Sequence, residues 1–290
     1  MRRLEDLARG VGAAVLAIAL LFGAGVPARA AAIAQDGGVV SLAYDSRAQT
    51  LFKAYARGLH QSSDGGRSWQ KIEIPALEDG RIASAAVSPA TKGVMYIAGP
   101  GTGVLRTEDG GHSWIERNEG LPSRDVIAVA AHATQPDTVY VVVHDQGVYR
   151  SQDAGKSWRL MERGSRGGIR QLIHSDMPGS MQTGWLFAAT PKGIRRNMDC
   201  FCLWQDAGKL ESEAYSVTYD PGHPDHLYAA TEKGLFRSSD GGENWVQMTS
   251  PGSKAVALAF ARTGTLYAAN DEGILFRSED NGGSWNQVNA

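Results

Sequence analysis

Several chemistries are excluded by what this sequence lacks. Two cysteines in 290 residues leave no Cys-x-x-Cys-His, so covalent c-type haem attachment is excluded. Glycine-rich phosphate loops, His-Glu-x-x-His zinc motifs and Gly-x-Ser-x-Gly elbows are all missing. An excess of one charge is missing too: Lys+Arg 29 against Asp+Glu 31 gives a net charge of −2, which carries no bias toward nucleic acid or anionic lipid. Neither a nucleic-acid partner nor a cofactor is expected. Long apolar runs are absent apart from one at the N-terminus.

That run marks an export segment. Arg2 and Arg3 precede an uncharged apolar stretch from Gly10 to Val26, with Glu5 and Asp6 diluting the positive start. Ala28-Arg29-Ala30 has the small-x-small form that signal peptidase accepts, which predicts a signal peptide over 1–30 with cleavage after Ala30. The stretch is somewhat shorter than the roughly 20 apolar residues of a membrane span, an uncleaved anchor being the other reading. Either way the folded part, 31–290, is expected outside the cytoplasm, periplasmic or secreted, with no membrane span after cleavage.

Glycine is plentiful at 35 of 290, about 12% against a usual share of about 7%. The glycines recur at fixed places. Six segments align: SSDGGRSW (Ser62–Trp69), TEDGGHSW (Thr107–Trp114), SQDAGKSW (Ser151–Trp158), the degenerate NMDCFCLW (Asn197–Trp204), SSDGGENW (Ser238–Trp245) and SEDNGGSW (Ser278–Trp285). Their aspartates, Asp64, Asp109, Asp153, Asp199, Asp240 and Asp280, lie 45, 44, 46, 41 and 40 residues apart. In every copy the Trp (Trp69, Trp114, Trp158, Trp204, Trp245, Trp285) follows five positions later. Between the boxes the same strand signals recur. In the fifth unit these are AYSVTY (Ala214–Tyr219), a turn at HPDH, HLYAAT (His226–Thr231), GLFRS (Gly234–Ser238) and a fourth strand over Asn244–Met248. Four short strands per 40–45 residues, six times over, predict an all-β, six-bladed propeller with a box hairpin between strands 3 and 4 of each blade.

The pattern resembles the Asp-box, or bacterial neuraminidase, repeat over nearly all of 31–290. Its physical content is a self-contained turn: Asp accepts from backbone N–H groups, glycine supplies positive φ, and Trp folds back as an apolar plug. These Asp and Trp residues are therefore read as structural. The same reading covers Arg106, Arg150, Arg196, Arg237 and Arg277, each three residues before a box Asp, as repeat residues pairing with carboxylates or stacking on Trp. A sialidase-like enzyme would bring a Phe/Tyr-Arg-Ile-Pro segment before the first box, and that segment is absent. No catalytic residue is assigned. Stretches such as HPDHLYAATEKGLFRSSDGGENW are more similar to the exported, all-propeller photosystem II stability and assembly factors. That resemblance implies a non-enzymatic scaffold holding a protein partner, as in assembly of an envelope complex. The contact surface it implies is the central funnel and the loop face opposite the boxes, including Arg57, Arg81, Arg124, Arg166, Arg170 and Tyr215. The alternative is a carbohydrate-active propeller, a sialidase-like glycoside hydrolase or a glycan-binding module, which aromatic residues in the funnel would favour.

The fourth box departs from the repeat. It loses its glycine pair and gains both cysteines, Cys200 and Cys202, beside Met198 and near His174, Met177 and Met181. Three readings stand: a disulfide, apolar filler, or a soft-metal site using thiolate and thioether ligands. His223 and His226, in the Pro-rich stretch DPGHPDH, are read as loop residues.

Overall fold

The computed structural model describes residues 38–163, 168–198, 200–201 and 203–288. The expected signal segment with its cleavage after Ala30, and the box residues Asp199 and Cys202, lie outside the described residues, as does Arg166. Among the described residues no helix is long and apolar enough to cross a membrane.

The strands form six four-stranded antiparallel sheets, each contiguous in sequence, and together a six-bladed propeller. Blade 1 has strands Val39–Asp45, Thr50–Tyr55, Gly58–Ser62 and Gln70–Ile72. The inner strands of blades 2 to 6 are Ser84–Val87, Val126–Ala131, Gln171–Ser175, Ala214–Asp220 and Ala255–Phe260. In each blade the chain steps outward one strand at a time, and in every blade but the third the outermost strand is only two or three residues long. In blade 5 it is only Val246–Gln247, where the sequence predicted Asn244–Met248. The turn predicted at HPDH also moves: the second strand begins at His223 and the chain reverses through Pro221-Gly222.

Both faces of a blade are covered, which explains strands that read as continuous apolar runs. In Val139–Val143 of blade 3 every residue is buried. Val139, Val141 and Val143 point into the cluster shared with blade 2, whereas Tyr140 and Val142 point into the one shared with blade 4. The period-2 alternation of a strand thus splits one sequence between two cores. Six such clusters occupy the six junctions between blades.

Among the described residues the ring closes without exchanging a strand between its ends. Val39, Leu42, Leu51 and Tyr55 of blade 1 pack on Ala257, Ala259, Tyr267 and Leu275 of blade 6. Polar latches reinforce the seam: Val39 N–H donates to the Asp271 carbonyl (3.2 Å), and Lys53 Nζ donates to the Gly273 carbonyl (2.9 Å).

Because neighbouring strands run in opposite directions, the loop between strands 1 and 2 emerges on the same side of the ring as the box turn between strands 3 and 4. The 2–3 turns and the connections between blades emerge on the other side. Two surfaces of different chemistry result.

Candidate functional site

The box turns consume their own polar groups. In blade 1, Ser62 Oγ donates to Asp64 Oδ1 (2.7 Å) and accepts from Gly66 N–H (2.8 Å). Asp64 accepts from Ser68 N–H at Oδ1 (2.9 Å) and from Ser68 Oγ–H at Oδ2 (2.6 Å). The same bonds recur around Asp109, Asp153, Asp240 and Asp280, with Asn244 replacing the second serine in blade 5. Hydrogen bonds from Ser157 hold the Asp153 carboxyl down at about 2, and those from Ser284 do the same for Asp280. Bonds from Ser68 and Ser113 push Asp64 and Asp109 lower still. Most of each carboxylate's acceptor capacity is thus used within its own turn.

The Trp of four boxes reaches further than its own blade. Trp158 Nε1 donates to the Arg117 carbonyl of blade 2 (2.9 Å), Trp245 to the Ala207 carbonyl of blade 4 (2.8 Å) and Trp285 to the Thr249 carbonyl of blade 5 (3.1 Å). Trp204 donates to Glu162 of blade 3 (2.6 Å). Each plug therefore bolts its blade to the preceding one, a partner some 40 residues back that no local pattern announces. Trp114 instead bonds within its own turn, to the Gly111 carbonyl (3.1 Å), and Trp69 lies under Lys53 Nζ, 4.2 Å from the ring centroid. Three of the five arginines before the boxes are spent similarly. Arg106 bonds Tyr96 and pairs with Glu108, Arg277 pairs with Glu279, and Arg196 pairs with Glu243 of the next blade while lying over Trp185.

The side opposite the boxes carries the residues expected to bind. Arg57 sits in the 2–3 turn of blade 1, and Arg81, Arg124 and Arg170 sit in connections between blades. Two of these are engaged at the surface. Arg124 forks onto Glu116, and Arg170 pairs with Glu213 while its guanidinium stacks over Tyr215 at 5.1 Å. Tyr215 in turn donates to Glu232, which pairs with Lys254. These two bonds, from Lys254 first and Tyr215 second, lower the Glu232 carboxyl. The result is a balanced network of both signs rather than a bare arginine ring.

The central cavity lies on the other side. It encloses about 400 Å³ between the inner strands and is lined by apolar residues such as Leu42, Leu172 and Leu258. Its lining continues into the 1–2 loops, where Arg47, Pro89, Pro221 and Arg262 stand on the same side as the box turns. None of Arg57, Arg81, Arg124, Arg170 or Tyr215 lines it. Tyr44 and Tyr219 flank the cavity. Burial, with a smaller push from Asp176 and an opposing pull from Arg262, holds the Tyr219 hydroxyl far above its ordinary range. One carboxylate, Asp45, is present among the described lining residues. Its Oδ1 accepts from Arg47 N–H (2.8 Å) and Ala48 N–H (2.9 Å), and its Oδ2 from Gly93 N–H (3.1 Å). The sequence reading missed these residues. Arg47 and Arg262 were visible only as polar loop residues, and a cavity wall drawn from six strands leaves no mark in any one of them.

In the fourth blade, Phe201 stands where each other box has a glycine at positive φ, and it keeps the left-handed backbone at φ 58°. Its ring packs against Tyr140 of blade 3, with centroids 5.9 Å apart. Cys200 is disulfide-bonded and no described cysteine is free. A disulfide sulfur is not the thiolate that the soft-metal reading of Met198, Cys200 and Cys202 required.

A family model described as photosynthesis system II assembly factor YCF48 matches residues 29–181, just over half of the chain. A second, described as a DUF6242 beta propeller domain, matches residues 204–290. No curated protein matches. Among solved structures, YCF48 bound to D1 peptide is similar with a TM-score of 0.57 and 19% identity, over 87% of this chain and 82% of that one. YCF48 from Cyanidioschyzon merolae is similar with a TM-score of 0.57 and 16% identity, over 87% and 85%. The GH74 xyloglucanase from Xanthomonas campestris has a TM-score of 0.59 and 15% identity, over 85% of this chain but 52% of its own length. For the GH74 enzyme from Niastella koreensis these figures are 0.57, 16%, 86% and 46%, so the chain spans about half the length of such enzymes. At these identities the likeness is one of fold.

Proposed function

The chain belongs to the photosynthesis system II assembly factor YCF48 family, and from that premise we propose that it is a non-catalytic exported scaffold that holds a segment of a protein partner during assembly of an envelope complex. The contact surface in this reading is the box-side mouth of the central cavity. The observation that carries it is the lining: walls of mixed apolar and neutral polar residues, arginines at the rim, and one carboxylate among the described lining residues, which already accepts from three backbone N–H groups. A glycosidase of the usual kind sets two carboxyl groups about 5–10 Å apart across its substrate. Asp45 has no such counterpart among the described lining residues. A mixed lining with cations at its rim and no carboxylate pair suits a polypeptide segment better. The YCF48 structure bound to a peptide is in keeping with that class of ligand.

Export is supported by the N-terminal segment and by the bonded state of Cys200, since disulfides persist in oxidising compartments. N-terminal sequencing of the mature protein should begin at Ala31.

Tyr44 and Tyr219 beside the cavity favour a second reading, a glycan-binding or glycan-cleaving funnel. One experiment separates the two. Photo-reactive side chains placed at Arg47 and Arg262 should cross-link one envelope polypeptide in living cells. The same probes at Arg57 and Arg81, across the ring, should not. Cross-linking from the opposite face alone would move the contact surface there. Turnover of a glycoside by the purified protein would overturn the scaffold reading.

A further inference from the structure

The inner hairpin of blade 5 contains an irregularity with a chemical consequence. Pairing between its first two strands runs regularly down to Tyr219 opposite Leu227, then jumps to Asp220 opposite His223. Three residues, Pro224, Asp225 and His226, are therefore looped out of register. In a regular strand, residues three apart point to opposite faces. Here the bulge returns His226 to the side of His223, with the imidazole rings stacked 4.9 Å apart and 19° from parallel. Asp220 completes the group, its Oδ2 3.0 Å from His223 Nδ1. One nitrogen from each histidine and one carboxylate oxygen all lie within 4.8 Å of one another.

We propose that Asp220, His223 and His226 form a binding site for a divalent first-row transition metal, with zinc as the reference ion, at the rim of the cavity mouth. The donor set is a carboxylate and two imidazoles, which suits borderline ions and leaves coordination positions open for water or an incoming donor. Zinc sits about 2.0–2.1 Å from such ligands, so two ligand atoms of a tetrahedral site lie roughly 3.3 Å apart. The Asp220–His223 separation already has that size. A separation at the 4.8 Å bound closes to that size with a shift of about 1.5 Å.

The backbone beneath the site is held from three directions, so the ligands are arranged before any ion arrives. Gly222 N–H donates to Asp220 Oδ1 (2.7 Å), which orients the carboxylate and leaves Oδ2 toward the histidines. Ser175 Oγ of blade 4 donates to the Pro224 carbonyl (2.8 Å), and Gly241 N–H of the box turn donates to the Asp225 carbonyl (2.9 Å). Pro221 and Pro224 restrict φ on either side. Such supporting bonds are what fix ligand orientation in metal sites. Pro221 also lines the central cavity, so a bound ion would sit beside the surface assigned above to the partner. The site itself stands independently of that assignment.

Calorimetric titration of the full chain, expressed without a histidine tag, with ZnCl2 tests this directly. The expected result is saturable uptake of one ion per chain, accompanied by a rise in the thermal midpoint. His226→Ala and Asp220→Asn should each weaken uptake by at least the roughly 10–100-fold that losing even an outer partner costs. His223→Gln is an exposed substitution that keeps the fold testable should either of the others unfold. His112→Ala, in the box turn of blade 2, should leave uptake unchanged. Absence of saturable uptake would overturn the proposal, as would uptake undiminished by His223→Gln and His226→Ala.

Discussion

Five regular box turns and one worn one sit in the same ring, and the contrast separates what a blade junction requires from what merely accompanies it. The regular turns combine a hydroxyl–carboxylate clamp, a glycine at positive φ and a Trp bonded, in most blades, to the preceding blade. In the fourth, Asn197 replaces the hydroxyl, and neither polar atom of its buried amide finds a partner among the described residues. Phe201 replaces the glycine yet keeps its backbone conformation, and its ring fills against Tyr140. Trp204 keeps its bond to the preceding blade. What survives is the left-handed residue and the bolt across the junction. The hydroxyl clamp is the part that blade 4 does without.

The bolt should therefore be the costliest thing to remove. Trp158→Ala deletes a side chain only 9% exposed together with its bond to Arg117, and is expected to destabilise the protein by about 3–5 kcal/mol in urea unfolding. The loss should match that of Trp204→Ala despite the difference between the two turns. If Trp204→Ala were nearly silent, blade 4 would be joined to blade 3 by something other than the bolt.

The next effect falls on backbone. Gly242 has φ 87°, and a Cβ there would stand 2.9 Å from the Cβ of Ala207, a buried residue with no room to yield. Gly242→Ala should cost about 1–3 kcal/mol from strain at that conformation. The matching change in the worn turn, Phe201→Gly, relieves strain but opens the contact with Tyr140. It is expected to lower stability by about 1 kcal/mol, the lost burial outweighing the relief. A gain in stability would mean that Phe201 is tolerated rather than used.

How much of this could be read beforehand follows from which contacts are local. A turn such as Ser62–Trp69 and the strands beside it lie within a few residues of one another, so spacing alone gave six blades of four strands. The junctions join residues about 40 apart, and the repeat shows only one side of each: Trp245 is visible as a plug, its partner Ala207 is not. The cavity wall is assembled from six inner strands, which is why the loops carrying Arg81 and Arg124 could be placed opposite the boxes from sequence while the opening of the cavity on the box side could not. DPGHPDH read as a loop because a register jump is a property of pairing, and pairing is absent from a single strand's sequence.

The hydroxyl clamp comes next. Ser151→Ala removes the group that donates to Asp153 and accepts from Gly155 N–H, and should cost about 1–2 kcal/mol. The carboxylates of the regular turns have folded values below their unfolded ones, Asp153 and Asp280 at about 2. Their contribution is complete above an unfolded value of roughly 4 and is lost as pH falls through the folded values. Stability followed in urea from pH 5 down to pH 2 should thus decline gradually. Because these groups are exposed and screened, each turn's share is small. Asp153→Asn should flatten the decline. A protein whose urea midpoint stayed constant down to pH 2 would show the clamps to be idle.

The smallest expected effect is also the most discriminating, because its sign is in play. Asn197 is fully buried, and a buried amide with no partner carries a desolvation penalty of about 1–3 kcal/mol. Asn197→Leu keeps the branched heavy-atom skeleton and removes both orphaned groups at the cost of some added bulk, so the change should be neutral or stabilising by up to about 1 kcal/mol. The same substitution at Ser151 should be destabilising, since there it deletes a satisfied clamp and forces bulk into a closed turn. Opposite signs at equivalent positions would establish that blade 4 has abandoned the clamp while keeping the bolt. Equal losses at both would mean that Asn197 supports its turn through contacts as essential as the hydroxyl's, and the division between requirement and accompaniment would have to be redrawn.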